Sequence, residues 1–154
     1  ASESLAYSGS GLQQAGYARF GGISHAGLWN GTAASWIDLH PAGSLGSYVT
    51  DNFGTQQVGV AFVDGFRRAS LWTGTAASRV DLSSFLTGSW GHTQAQGIWS
   101  DGTTTTVVGW GFNNASGRDE ALLWRWTIPA PGPAFVIGMW GVVAGRARRR
   151  VRIN

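Results

Sequence analysis

Three histidines, His25, His40 and His92, and two aspartates in matching local settings, Asp38 and Asp81, are the first residues to weigh for chemistry. A helical zinc site needs a second histidine or a carboxylate at i+3 or i+4, as in His-Glu-x-x-His, and no histidine here has such a neighbour. The Gly-x-Ser-x-Gly elbow of serine hydrolases does not occur, although a triad assembled in space from distant residues is not excluded by spacing. Asp38 and Asp81 could act as the two acids that flank a sugar bond in glycoside hydrolysis. Their equivalent positions in a repeat point instead to a turn or capping role. Gly109-Trp110-Gly111 begins like a nucleotide loop, but Asn114 stands where the third glycine belongs and no helix follows. Asn30-Gly31-Thr32 and Asn114-Ala115-Ser116 fit the glycosylation pattern and are expected to be turns. The sequence therefore nominates no catalytic residue, no metal ligand and no cofactor.

The elements that hold these residues come in repeats. A shift of 43 residues lays Gln13-Gln14-Ala15-Gly16-Tyr17-Ala18 on Gln56-Gln57-Val58-Gly59-Val60-Ala61, and Leu28-Trp29-Asn30-Gly31-Thr32-Ala33-Ala34-Ser35 on Leu71-Trp72-Thr73-Gly74-Thr75-Ala76-Ala77-Ser78. Asp38-Leu39 and Asp81-Leu82 keep the same offset, and a third, partial copy carries Val108-Gly109-Trp110-Gly111 and then Leu123-Trp124, with Trp124 at the longer spacing of 52 from Trp72. A period in the forties is that of a four-stranded propeller blade. Asn30-Gly31, Asp64-Gly65 and Asp101-Gly102 read as tight turns between short strands. The first unit is expected to place strands near 16–20, 26–29, 35–39 and 47–52, and the second near 57–63, 69–72, 78–82 and 93–99. The third has two, near 105–112 and 121–126. With 24 glycines, long helices are disfavoured before residue 128.

Charge and composition narrow the function classes. The formal charge is +3, but Arg146, Arg148, Arg149, Arg150 and Arg152 crowd the last nine residues. Six arginines and eight acids remain elsewhere, so the repeat region is slightly acidic and lacks the basic surface that nucleic-acid binding requires. No cysteine is present, which removes disulfides and thiolate metal sites. Residue 1 is alanine and the only methionine is Met139, so the translational start is expected to lie upstream. Ala1-Ser2-Glu3-Ser4 carries no export signal, an uninformative absence.

A large aromatic recurring at one strand position fills the gap between neighbouring sheets. Core packing is thus the expected role of Trp29, Trp72 and Trp124. The alternative use of indole rings is stacking on sugar faces. Trp36, Trp90, Trp99 and Trp110 lie outside the Leu-Trp position and are the better candidates for it, with Trp90, Trp99 and Trp110 taken as ligand-binding candidates for an extracellular polysaccharide. Packing is still the reading that residue type favours.

His25-Ala26-Gly27-Leu28-Trp29, Arg68-Ala69-Ser70-Leu71-Trp72 and Glu120-Ala121-Leu122-Leu123-Trp124 resemble the His-Ala-Phe-Leu-Trp signature of bacterial HAF-repeat extracellular proteins. The Asp-Leu steps and Val107-Val108-Gly109 match further parts of that repeat, so the resemblance covers roughly residues 11–127. Phenylalanine at the third signature position is replaced by Gly27, Ser70 and Leu122. The resemblance implies a propeller-like fold on exported proteins and no known catalytic residues. Two and a half units are too few to close a ring. A further N-terminal portion, assembly with other copies, or an open twisted stack of sheets is therefore expected.

After Trp126 the chain changes character. Ile128-Pro129-Ala130-Pro131-Gly132-Pro133 suits neither helix interior nor central strand, and an uncharged apolar run over 134–145 precedes the arginines. As a helix, twelve residues reach only about 18 Å, against a hydrocarbon core of roughly 30 Å. Counted from Ile128, the uncharged stretch has 18 residues, and arginine side chains can relieve the mismatch by reaching to head groups. A buried strand or short helix with a solvated basic end is the plain alternative. The order of Pro-rich box, apolar segment and arginine cluster resembles a PEP-CTERM-type sorting tail. Pro129, Ala130, Pro131 and Gly132 stand as a Pro-Ala-Pro-Gly form of its box, with alanine in place of glutamate. That resemblance implies export, transient membrane anchoring and cleavage near the box by an exosortase.

The expectation is thus an all-β, partial β-propeller-like array of about two and a half four-stranded antiparallel repeats over 1–127. A Pro-rich sorting box or linker over 128–133 follows. The chain then ends in an apolar segment with an Arg-rich tail over 134–154, expected as a short transmembrane-like helix. The function expected is a non-enzymatic exported surface or matrix protein. The alternatives are a carbohydrate-binding, lectin-like propeller and a secreted glycan-active enzyme.

Overall fold

Two-residue turns with positive φ at both positions fold the strands into hairpins: Gly21 and Gly22 at 58° and 86°, Asp64 and Gly65 at 52° and 79°. Such turns match the right-handed twist of antiparallel strands, and glycine adopts them without steric cost. In a computed structural model, which describes residues 1–127, eleven strands form three antiparallel meanders. The first sheet runs in order β1 (Glu3–Ser10), β2 (Gln13–Phe20), β3 (Ile23–Asn30), β4 (Ile37–Asp38). The second holds β5 (Ser47–Phe53), β6 (Gln56–Val63), β7 (Phe66–Trp72) and β8 (Val80–Asp81). The third holds β9 (Trp90–Ser100), β10 (Thr104–Asn113) and β11 (Arg118–Thr127).

Each first strand carries a β-bulge at the same repeat position. The register breaks between Ala6 and Ser8, between Val49 and Asp51, and on β9 opposite the Val108 to Gly109 step. The bulge pushes a carbonyl towards the neighbouring strand, and only glycine fits beneath it. A Cβ on Gly16, Gly59 or Gly109 would lie about 2 Å from the carbonyl oxygen of Leu5, Tyr48 or Gln94, respectively. These three glycines are the backbone signature of the repeat.

The sheets stack face to face through two equivalent joints. In the first, Ala15, Ala26, Leu28 and Leu39 of the first sheet bury against Val49, Ala61 and Trp72 of the second. In the second, Val58, Ala69, Leu71 and Leu82 bury against Ala95, Leu122 and Trp124. A hydroxyl pins each joint: Ala26 N donates to Ser47 Oγ, and Ala69 N to Thr93 Oγ1, both at 2.9 Å. Fully burying one of these tryptophans removes on the order of 150–250 Å² from water, so packing of this stripe is the main source of cohesion between sheets.

Several expectations need correction. The strand expected near 47–52 does not complete the first unit's sheet; as β5 it opens the second, and the strand near 93–99 opens the third in the same way. The sequence period is therefore one strand out of phase with the sheets, and β1, which no Leu-Trp motif marks, completes the first. The segments expected as strands at 35–39 and 78–82 are strand only at Ile37–Asp38 and Val80–Asp81, each preceded by a 3-10 turn, Ala33–Ser35 and Ala76–Ser78. There Ser35 Oγ accepts from Asn30 N and donates to Thr32 O, and Ser78 Oγ does the same with Thr73 N and Thr75 O. This local hydrogen bonding competes with strand pairing. The third unit, expected to have two strands, is a three-stranded sheet among the described residues, because the strand near 93–99 joins it. Among those residues the sheets close into neither a barrel nor a ring, and no helix is long and apolar enough to cross a membrane. The expected terminal helix over 134–154 and the box over 128–133 lie outside the described residues.

Candidate binding faces

Asp38 and Asp81 are turn residues. Asp38 Oδ1 accepts from His40 N at 2.8 Å, and Asp81 Oδ1 accepts from Ser83 N at 2.9 Å. Their second oxygens meet His25 Nδ1 and Arg79 Nη2, at 2.9 and 3.2 Å. The imidazoles of His25 and His40 stack with centroids 4.0 Å apart, and His40 Nδ1 lies 2.8 Å from Ser47 Oγ. This Ser-His-Asp proximity has the composition of a hydrolase triad but the wrong access. Ser47 is fully buried, and its oxygen already accepts from Ala26 N, a bond that Thr93 repeats where no histidine takes part. Burial, and after it the positive charge that His25 can carry, hold the His40 imidazole below its ordinary value of 6.5. Among the described residues, no group of three His, Cys, Asp or Glu is placed to hold a metal ion.

The three candidate tryptophans part company. Trp110 and Trp99 share one face of the third sheet with Val108 and Phe112, as their alternation along β10 and the Thr106 to Trp99 pairing require. Trp99 is 56% exposed and Val108 47%. Trp90 points to the other face. It packs against the core of the second joint, and its Nε1 donates to Thr87 O at 2.8 Å. Its remaining edge lines a shallow groove of about 390 Å³ with Arg68, Asp81 and Leu86.

The Leu-Trp tryptophans also divide. Trp72 and Trp124 are buried between sheets, in the packing role expected of them. Trp29 is only half-buried, because no neighbouring sheet among the described residues lies over its side of the first sheet. It meets Trp36 at 4.7 Å, and Trp36 in turn lies over Gly27 and 6.1 Å from Phe20. A Cβ on Gly27 would lie 2.1 Å from the Trp36 ring. In the second unit the same pair of positions holds Ser70 and Arg79, joined by a 2.9 Å hydrogen bond. The departure at Gly27 was thus the signal for an aromatic cluster here, legible once position 36 is read together with position 27. Ser4, Ala6, Gln14, Trp29 and Thr32 line a groove of about 360 Å³ on this open face.

Pro129, Ala130, Pro131, Gly132 and the cluster Arg146, Arg148, Arg149, Arg150 and Arg152 lie outside the described residues. No protein-family model matches the chain, and neither curated proteins nor solved structures yield a match.

Proposed function

We propose that the chain is a non-catalytic repeat scaffold of an exported bacterial surface or extracellular-matrix protein, built as part of a β-propeller. In this reading it is held at the membrane and sorted by an exosortase through its C-terminal segment. The observation that carries the scaffold reading is the use of its reactive side chains. Ser47, Asp38 and Asp81 each serve the backbone of a joint or a turn, at positions that the repeat fills with the same hydrogen bond. Support for export comes from the HAF-like signature and from the succession of box, apolar run and arginines in the tail sequence. Mass spectrometry of the mature C-terminus tests it: an end near Pro129 to Pro133 is expected, and an intact Asn154 on secreted, fully soluble protein counts against sorting.

A second reading, a carbohydrate-binding module, is favoured by one observation, the shared open face of Trp99 and Trp110. Indole faces stacked on sugar rings would hold a neutral polysaccharide without ions or metals. Glycan-array binding that disappears in Trp110→Ala or Trp99→Ala, with the fold retained by circular dichroism, selects this reading. Absence of glycan binding by the wild-type chain removes it.

A further inference from the structure

Each joint is built from two unlike surfaces, and the described residues leave one copy of each uncovered. The covering surface, with Ala26 and Leu28 in the first joint and Ala69 and Leu71 in the second, recurs on the third sheet as Ala121 and Leu123. Val108 takes the place of Ala15 and Val58 there. Val108 is 47% exposed, whereas Ala15 and Val58 are fully buried. The inserted surface, with Val49 and Trp72, then Ala95 and Trp124, recurs on the first sheet as Ala6 and Trp29. Ala6 is exposed and Trp29 is half-buried in the 360 Å³ groove. The pin recurs as well. Ala121 carries the backbone N–H equivalent to that of Ala26 and Ala69, and Ser4 the hydroxyl equivalent to that of Ser47 and Thr93.

We propose that two copies of this chain associate head to tail, the Trp29 face of each seating on the Val108 and Leu123 face of the other. Both contacts reproduce the internal joints, with Ala121 N of one copy donating to Ser4 Oγ of its mate. A heterologous contact of this kind yields either a closed ring or an open filament. Propellers of typically four to eight sheets close. The described residues of one copy supply three sheets and those of three copies would supply nine, so two copies, with six, form the ring. The ring count rests on the propeller-type reading given above, whereas the contact itself rests only on the equivalence of the surfaces. Docking covers Trp110, whose equivalents Tyr17 and Val60 are buried, and so competes with a sugar at that face.

Sedimentation equilibrium of the full chain tests this with two single variants at exposed sites, Ala6→Glu and Val108→Glu. Neither residue belongs to the two packed cores, so both variants should fold as wild type by circular dichroism. A two-chain species is expected for wild type. Each variant alone should weaken association by on the order of 100-fold or more, since each places an unpaired charge in an apolar contact. An equimolar mixture should recover a two-chain species, because the intact face of one variant can meet the intact face of the other. A monomer at all concentrations overturns the proposal, as does an oligomer indifferent to both substitutions. So does a mixture that associates no more tightly than either variant alone. A filament sensitive to both variants would keep the contact but overturn the six-sheet ring and, with it, the propeller geometry.

Discussion

Replacing Trp72 and Trp124 by phenylalanine, one at a time, isolates what a single N–H contributes at two equivalent positions. Both rings are fully buried at the centre of a joint, so both variants lose a similar ring area. The indole nitrogens differ: Trp124 Nε1 donates to Leu82 O at 2.9 Å, whereas Trp72 Nε1 has no hydrogen-bond partner among the described residues. Trp124→Phe therefore forfeits a hydrogen bond, a net loss of about 1 kcal/mol, and strips a partner from a buried carbonyl. Trp72→Phe removes a donor that folding had desolvated without compensation, regaining about 1–3 kcal/mol against the lost packing. Trp72→Phe should therefore be more stable than Trp124→Phe by about 2–4 kcal/mol. With a urea m-value of about 2 kcal/mol per molar, the midpoints should differ by roughly 1–2 M. Equal midpoints with equal m-values would refute the assignment of Trp72 as an orphaned donor.

Further outcomes follow from the same geometry. Gly59→Ala should cost more than about 3 kcal/mol in urea unfolding, because the added carbon meets backbone atoms of Tyr48 and Val49 on a bulge that cannot yield. Gly46→Ala, where the nearest atom is a Phe62 ring carbon at 3.5 Å, should stay within about 1 kcal/mol. Gly27→Ser should displace Trp36 and change the near-ultraviolet circular dichroism that the tilted Trp29 and Trp36 pair contributes; an unchanged spectrum would contradict that contact. His40 has a folded-state pKa below its ordinary 6.5, so the unfolded chain takes up the proton first. Stability should be fully present above about pH 6.5 and decline as the pH falls through that value towards the folded pKa. His40→Gln should flatten that decline, and an unaltered slope in the variant would place the titration elsewhere.

The periodicity made the strand meander and the recurring Trp72 and Trp124 packing legible, because a 43-residue copy repeats both the apolar stripe and its turns. Sheet membership was not legible. A strand with only a bulge and a serine or threonine pin to mark it, such as β1 or β5, carries no periodic apolar signal of its own, and pairing partners follow from chain geometry alone. The pin also explains why Ser47 and Thr93 escaped notice: their hydroxyls act on another sheet's backbone, which no spacing rule reveals. The longer third spacing of 52 is spread over three connections. Thr93 follows Ser47 by 46 residues, Gly109 follows Gly59 by 50, and Trp124 follows Trp72 by 52, so no single insertion stands out. For the candidate faces, residue type favoured packing for Trp99 and Trp110, which share an open sheet face, whereas Trp29, expected in the core, is half-buried and Trp90 packs against the second joint. A tryptophan's exposure depends on whether a neighbouring sheet lies over it, a property of the array and not of the local sequence.

The bulges on β1, β5 and β9 fall on the strands that begin each sheet, and each such strand has one side with no neighbour in its own ladder. A straight edge of that kind offers a continuous row of amide and carbonyl groups on which a foreign strand could extend the sheet. One extra residue in the middle of the row throws its two halves out of step, so an incoming strand in register with one half misses the other. The same irregularity that forbids a side chain at Gly16, Gly59 and Gly109 thus guards a glycine-rich, many-edged protein against indiscriminate aggregation, while leaving its sheet faces free to recognise their own kind.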